Sequence, residues 1–288
     1  MEGSKVAIVT GVTSGIGRST AGSLAAAGYR VFGTARDPAS PERPAGLELE
    51  IVPLDVRQPD SVRACVEHVL AVTGRIDVLV NNAGYAVLGG VEETGVEQAK
   101  DLFETNFFGL MRMTSAVLPA MRSRRSGAVV NVSSVAGFLA PPFMGVYAAS
   151  KHAVEAYSEA LHHEAGPLGI RVLLVEPGFT RTHLDRNSQL ADRLLADYEG
   201  PRRRALSVIN ARLAGGSDPE AVGRAIAASL GARSSPLRIP VGREASRLRL
   251  LRRLAPARSF ERGVRKQFAI DRPISPAAPP VAADVDVT

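Results

Sequence analysis

Short, almost wholly apolar runs alternate with stretches of helical spacing along most of this 288-residue chain. Val6 to Thr10, Arg30 to Thr34, Glu48 to Leu54, Val78 to Asn81, Ala128 to Val132 and Arg171 to Glu176 lack the polar alternation of a half-solvated strand, so they read as parallel strands covered on both faces. The intervening segments have helical periodicity. Small residues run from Arg18 to Ala27, Asp60-Ser61 opens a second helix, and Asp218 is a sound N-cap ahead of Pro219 for a helix through Leu230. A repeated β-α pattern predicts an α/β fold with a doubly wound parallel sheet, whose ligand site lies at the carboxyl ends of the strands. Residues 1–270 are expected to form one domain, and 271–288, rich in Pro, Ala, Val and Asp, to be a disordered tail. No internal repeat is visible.

Composition narrows the class. Hydrophobic residues make up 45% of the chain, enough for a large core. The single cysteine, Cys65, excludes an intramolecular disulfide, and its place on the apolar face of a helix predicts a buried small hydrophobe. The first strand begins within a few residues of Met1 and no apolar run approaches a membrane span, so a soluble, cytoplasmic protein is expected. The net charge of +6 is uneven: residues 1–200 carry 18 Lys or Arg against 22 Asp or Glu, and residues 201–288 carry 17 against 7. The basic part reads as a solvated arginine-rich face without nucleic-acid binding. In 243–268, interrupted by Pro256, leucines at 248, 250, 251 and 254 predict a packed apolar face with snorkelling arginines in preference to peripheral membrane contact.

The candidate chemistry lies at strand ends. After the first strand, Thr10-Gly11-x-x-x-Gly15-Ile16-Gly17 is a glycine-rich turn opening a helix, where free N–H groups and close backbone approach suit a pyrophosphate. Tyr147 and Lys151 are one helical turn apart, so their Cβ atoms lie roughly 5–6 Å apart on one face. A cation beside a phenol favours the phenolate, which makes the pair a tuned proton donor and acceptor. Ser134 lies thirteen residues before the tyrosine.

On these features the chain resembles the short-chain dehydrogenase/reductase family in its single-domain form, nearest to the hydroxysteroid and retinol dehydrogenase branch. The matching residues are Thr10 to Gly17, Asp55-Val56, Asn81-Asn82-Ala83-Gly84, Asn106, Ser134, Tyr147, Lys151 and Pro177 to Thr182, all between Val6 and about Leu184. The resemblance implies a Rossmann fold and a seventh strand around Leu237 to Val241, bracketed by Pro236 and Pro240. It also implies that the excursion at 183–216 covers the substrate, as a mobile lid.

The implied reaction is hydride transfer between a nicotinamide cofactor and a carbonyl or alcohol. Tyr147 would move the proton, Lys151 would lower its pKa and bond the nicotinamide ribose, and Ser134, favoured over Ser133 by the family's offset, would orient the substrate oxygen. Asn106 would hold a relay water, or is a structural helix asparagine. Gly11, Thr13, Ser14, Gly15, Ile16 and Gly17 would cradle the cofactor phosphates. Asp55 and Val56 would flank the adenine, Asn82, Ala83 and Gly84 would close over the adenosine ribose, and Pro177, Gly178, Thr180 and Thr182 would shape the nicotinamide end. Ala35 falls where an NAD-selective carboxylate would stand and Arg36 follows it, which favours NADP(H), although Asp37 is an alternative ribose partner and Ser14 occupies a position often basic in NADP-preferring relatives.

The substrate side is almost wholly apolar: Tyr85, Val87, Leu88, Val135, Phe138, Leu139, Phe143 and Leu184 suit a small lipophilic ketone, aldehyde or alcohol of steroid, retinoid or fatty type. His162 and His163 are adjacent on a helix and should point apart, and no cluster at metal spacing accompanies them, so no catalytic metal is expected. A homodimer or homotetramer is the expected assembly. Two alternatives remain: a non-catalytic NAD(P)-sensing regulator, and an NAD-dependent alcohol dehydrogenase of the same fold.

Overall fold

The computed structural model describes residues 3–37, 49–182 and 188–271. The expected tail from 272 onward, Leu184 and the start of the strand expected at Glu48 lie outside these residues.

Seven parallel strands form the central sheet in the order β3-β2-β1-β4-β6-β7-β9. They are β1 (Val6–Thr10), β2 (Arg30–Ala35), β3 (Glu50–Pro53), β4 (Val78–Asn81), β6 (Gly127–Val132), β7 (Ile170–Pro177) and β9 (Arg238–Val241). Every expected strand forms. Register in the middle of the sheet pairs Ile8 with Phe32 on one side and with Leu79 on the other. Alternation then divides the core: Val6, Ile8 and Phe32 pack on one face, while Ala7, Val9 and Val31 pack on the other. The order reverses between β1 and β4, and the crevice at that reversal lies at the carboxyl ends of Thr10 and Asn81.

Helices α1 (Gly15–Ala26) and α7 (Pro219–Gly231) cover one face with Leu24, Val222 and Ile226, all buried. Helices α2 (Pro59–Thr73), α4 (Gly109–Ser123) and α5 (Gly145–Ala165) cover the other. Asp218 caps α7 as expected, its carboxylate accepting from Glu220 N at 2.9 Å. Between α3 (Val96–Phe103) and α4 the backbone widens into a π turn, Glu104–Phe108. Such turns recur at functional sites.

The excursion after β7 is built differently from a free loop. Strand β8 (Gln189–Leu190) pairs in parallel with β5 (Val87–Leu88), and helix α6 (Ala196–Ala214) follows. Glu93, fully buried, accepts from Gly90 N and Leu195 N at 2.8 Å each and forms an ion pair with Arg202 of α6. Asp192 accepts from Gly95 N at 2.8 Å, and Tyr198 donates to Glu92 at 2.9 Å. Motion of α6 therefore has to disrupt a buried ion pair.

The basic segment forms α8 (Arg243–Leu254) and, beyond Pro256, α9 (Ala257–Gln267). Its packing departs from expectation. Ala245 is buried and Leu248 half-buried, but Leu250, Leu251 and Leu254 are 58%, 41% and 69% exposed. No helix among the described residues is long and apolar enough to cross a membrane.

Candidate active site

The glycine turn fits a bound dinucleotide on steric grounds. Gly11 and Gly15 adopt left-handed φ angles of 71° and 54°, and a Cβ on Gly17 would lie 2.1 Å from Gly11 O, so any side chain there would displace the turn. Ser14 precedes α1 with its side chain making no cap, and the first turn of α1 carries no acidic residue. The helix therefore presents N–H groups and positive potential without an internal competitor for an anion. Thr13, Ser14 and Ile16 are half-buried around this turn. Thr182 lies against it, 3.1 Å from where a Cβ of Gly15 would stand.

Asn82 has a different task from the one expected. Its Nδ2 donates to Thr10 O and Gly11 O at 2.9 and 3.1 Å, while Thr10 Oγ1 accepts from the backbone N–H groups of Asn82 and Ala83 at 2.9 and 3.0 Å. The side chain thus locks β4 to the glycine turn. Asp55 is likewise engaged: Arg57 grips it at 2.6 to 3.1 Å, and this guanidinium holds its carboxyl below the usual range with help from Arg36. Arg57 was not foreseen; its signal was the Asp55-x-Arg57 spacing. Val56 is buried against Gly109, and Arg36 at the end of β2 is exposed.

The four candidate catalytic residues converge at the ends of β6 and α5. Ser134, in extended backbone, accepts from Ala136 N at 3.1 Å, and its hydroxyl lies close enough to the Tyr147 phenol to act on its ionisation. Ser133 is engaged elsewhere, donating to Glu155 at 2.7 Å. Lys151 Nζ donates to Val132 O at 2.9 Å and lies 5.9 Å from the Tyr147 ring centre. Asn106 sits in the π turn, its Oδ1 accepting from Tyr85 N at 3.0 Å and its Nδ2 donating to Tyr85 O at 2.9 Å and Ser150 Oγ at 3.2 Å. Its side chain ties the start of the substrate-side loop to the helix that bears Lys151.

Burial dominates the electrostatics of the pair. Burial pushes the Tyr147 phenol up from its ordinary value, with the neighbouring Ser134 opposing. Lys151 is itself pushed down to about 8 by burial, with Glu155 opposing. The ammonium is aimed at the Val132 carbonyl, which weakens its direct pull on the phenol. Two buried carboxylates that the motifs did not reveal stand behind it. Glu155 and Glu176 share Arg238, at 3.1 and 3.8 Å, and Arg249 of α8 pairs with Glu176 while stacking 5.2 Å from the Phe138 ring centre. Glu155 was legible one turn beyond Lys151; the two arginines come from distant sequence.

Where the nicotinamide is expected, Pro177 closes β7, Gly178 N bonds Val241 O at 3.4 Å, and Thr180 donates to Gly178 O at 3.1 Å. On the substrate side Tyr85, Phe138 and Phe143 are half-buried, whereas Val87, Leu88, Val135 and Leu139 are buried and serve packing. Phe143 holds a left-handed φ of 61°, uncommon for a bulky residue, and its ring meets Tyr198 edge-on at 6.3 Å. Tyr147 packs in an apolar cluster with Ile209 and Leu213 of α6 and with Phe268, none of which the motifs had indicated. His162 and His163 do not diverge as expected, their rings meeting edge-on at 5.5 Å. No group of three potential metal ligands occurs among the described residues.

Known proteins share this arrangement. The family described as short chain dehydrogenase matches residues 5–193. A 3-ketodihydrosphingosine reductase of Bacteroides thetaiotaomicron is 38% identical over 240 residues, covering 83% of this chain and 88% of its own length. Dehydrogenase/reductase SDR family member 7B of Bos taurus is 36% identical over 199 residues, covering 65% and 61%. A crystal structure of a short-chain dehydrogenase from Streptomyces avermitilis superposes with a TM-score of 0.75 at 38% identity, covering 91% of this chain and 99% of that one. With the seven-stranded sheet and the Ser134, Tyr147 and Lys151 cluster at its strand ends, these matches make this chain a member of the short-chain dehydrogenase/reductase family, oxidoreductases that act on carbonyl and alcohol groups.

Proposed function

We propose that the chain is an NADP(H)-dependent reductase of a lipophilic ketone, and specifically of a long-chain keto lipid. The observation that carries this reading is the Tyr147 phenol, buried in an apolar cluster with Ile209, Leu213 and Phe268 and with Ser134 beside it. Two neighbouring hydroxyls in apolar surroundings suit one carbonyl oxygen on an otherwise apolar molecule. The keto-sphingoid relative supports the lipid class.

The nicotinamide, when bound, supplies the hydride. Everything else falls to the chain. Tyr147 delivers a proton to the oxygen, and its raised pKa keeps the phenol protonated and ready to donate at neutral pH. Ser134 fixes the oxygen beside that phenol. Lys151, with a pKa of about 8, retains its charge at neutrality and steadies negative charge developing near Tyr147, held in place by Val132 O. Helix α6, whose Ile209 and Leu213 pack with Tyr147, would cover the site and exclude water. For the cofactor, Gly11 to Gly17 would take the pyrophosphate, and Arg36 would take a 2′-phosphate where a carboxylate would have repelled it. The convergence of Ser134, Tyr147 and Lys151 argues against a regulator that merely senses nucleotide.

The test is a panel of ketones of increasing chain length, including 3-keto long-chain bases, followed by nicotinamide absorbance with NADPH and with NADH. The reading expects kcat/KM to rise with chain length and to favour NADPH by roughly tenfold or more, the scale of one charge-assisted contact. A preference for short polar ketones would discard the lipid assignment, and a preference for NADH the cofactor assignment.

A further inference from the structure

Helix α8 carries apolar residues on two opposite sides, although only one side touches the protein. Ala245, Leu248 and Arg249 look inward: Ala245 is fully buried and Arg249 reaches Glu176. At 100° per residue, Leu250, Leu251 and Leu254 fall on the other side, about 120–180° from Ala245. Their exposures of 58%, 41% and 69% agree with that geometry. One such leucine would be ordinary for a surface. Three within two turns on a single outward side are not required by the fold.

The charge around the stripe indicates what it meets. Residues 243–267 carry nine Arg or Lys against two Glu. Glu244 is occupied by Arg212 and Arg249 by Glu176. Arg243 and Arg247 share the outward face of α8, and on α9 Arg258, Arg262 and Arg265 are exposed, while Phe260 turns inward beneath Arg252, 5.2 Å from its ring centre. A leucine stripe rimmed by arginines is the pattern of a helix lying in a lipid headgroup layer, where the apolar face enters the acyl boundary and the cations meet anionic headgroups.

We propose that the outward face of α8, flanked by α9, docks this protein peripherally on anionic bilayers. A second copy of the same face would bring like charge against like charge. Nucleic acid would use the arginines but gives the leucines no role. The anchoring of α8 through Arg249 to Glu176 and Phe138 also places the foot on the substrate side of the molecule. The docking does not depend on the substrate or cofactor assignment.

Flotation of the full chain with vesicles of phosphatidylcholine alone, and of phosphatidylcholine with phosphatidylglycerol, tests this directly. Binding is expected only to the anionic vesicles, and it should weaken as salt rises past the point where the screening length falls below about 8 Å. Leu250→Ser and Leu254→Ser should each lower vesicle affinity by roughly tenfold or more, since each removes a side chain from apolar burial. Because both residues point to solvent, melting temperature and nucleotide binding should stay as in the wild type. Arg247→Glu should weaken binding at low salt and matter little at high salt. No binding of the wild-type chain to anionic vesicles overturns the proposal. So does binding that the leucine substitutions leave unchanged, above all if an oligonucleotide competes for it. A fall in oligomeric state on Leu254→Ser with vesicle binding intact would assign the stripe to self-association instead.

Discussion

Substituting Glu176 by Gln isolates the buried charge behind the active site. Glu176 lies in β7 with its carboxylate fully enclosed; Oε1 meets Arg249 and, at 3.8 Å, Arg238, while Oε2 accepts no hydrogen bond among the described residues. Burial and the neighbouring Glu155 push its carboxyl up from 4.5 to about 7, and the two arginines offset only part of this. A folded-state pKa above the unfolded one means that the folded chain holds the proton more tightly. The contribution of Glu176 to stability is therefore fully present below about 4.5 and is lost as pH rises through about 7. That interval corresponds to about 3 kcal/mol. Glu176→Gln carries no titrating proton here, so melting curves of the two proteins should separate progressively across the window, the variant gaining by roughly 6–12 °C at the alkaline end. Thermal melts from pH 4.5 to 8 provide the assay. A separation that stays flat with pH, or runs in the opposite direction, would refute the reasoning. Arg249→Met should move the window to higher pH by removing the closer of the two cations.

Three further outcomes follow from the site. Tyr147→Phe should leave nucleotide binding nearly intact and lower turnover by roughly 10²-fold or more, the usual scale for a general acid, whereas Lys151→Ala should damage both; steady-state kinetics with fluorescence titration of the nucleotide distinguishes them. Arg36→Ala should weaken NADPH by roughly ten- to a hundredfold while sparing NADH, and tighter native binding of NADH would assign the ribose contact to Asp37. Arg202→Met leaves the buried Glu93 carboxylate uncompensated, at a cost of about 3–5 kcal/mol, so hydrogen exchange across residues 188–216 should accelerate while the strands β1 and β4 keep their protection.

The sequence by itself determined the sheet and the position of the chemistry. Buried parallel strands must be continuously apolar, so Val6–Thr10 and Val78–Asn81 are bounded as the pattern indicates, and the others differ by a residue or two at their ends. The glycine turn and the Tyr147 to Lys151 spacing were legible for a related reason: backbone sterics and helical periodicity act locally and leave their mark on adjacent positions. Tertiary structure alone decided what those residues face. Asn82 spends its amide on Thr10 and Gly11, and Asn106 on Tyr85 and Ser150, because strand ends distant in sequence meet there. The two-residue ladder of β5 and β8 is too short to mark a pattern, and it pins a segment that sequence alone presents as a loose lid. Leu248, Leu250, Leu251 and Leu254 show the same limit in α8: periodicity gives the angle between side chains, but which side is buried depends on the neighbour that happens to lie there. The pKa of Tyr147 is decided in the same way, by an enclosure assembled from α5, α6 and Phe268, whose burial of the phenol raises it against the influence of Ser134.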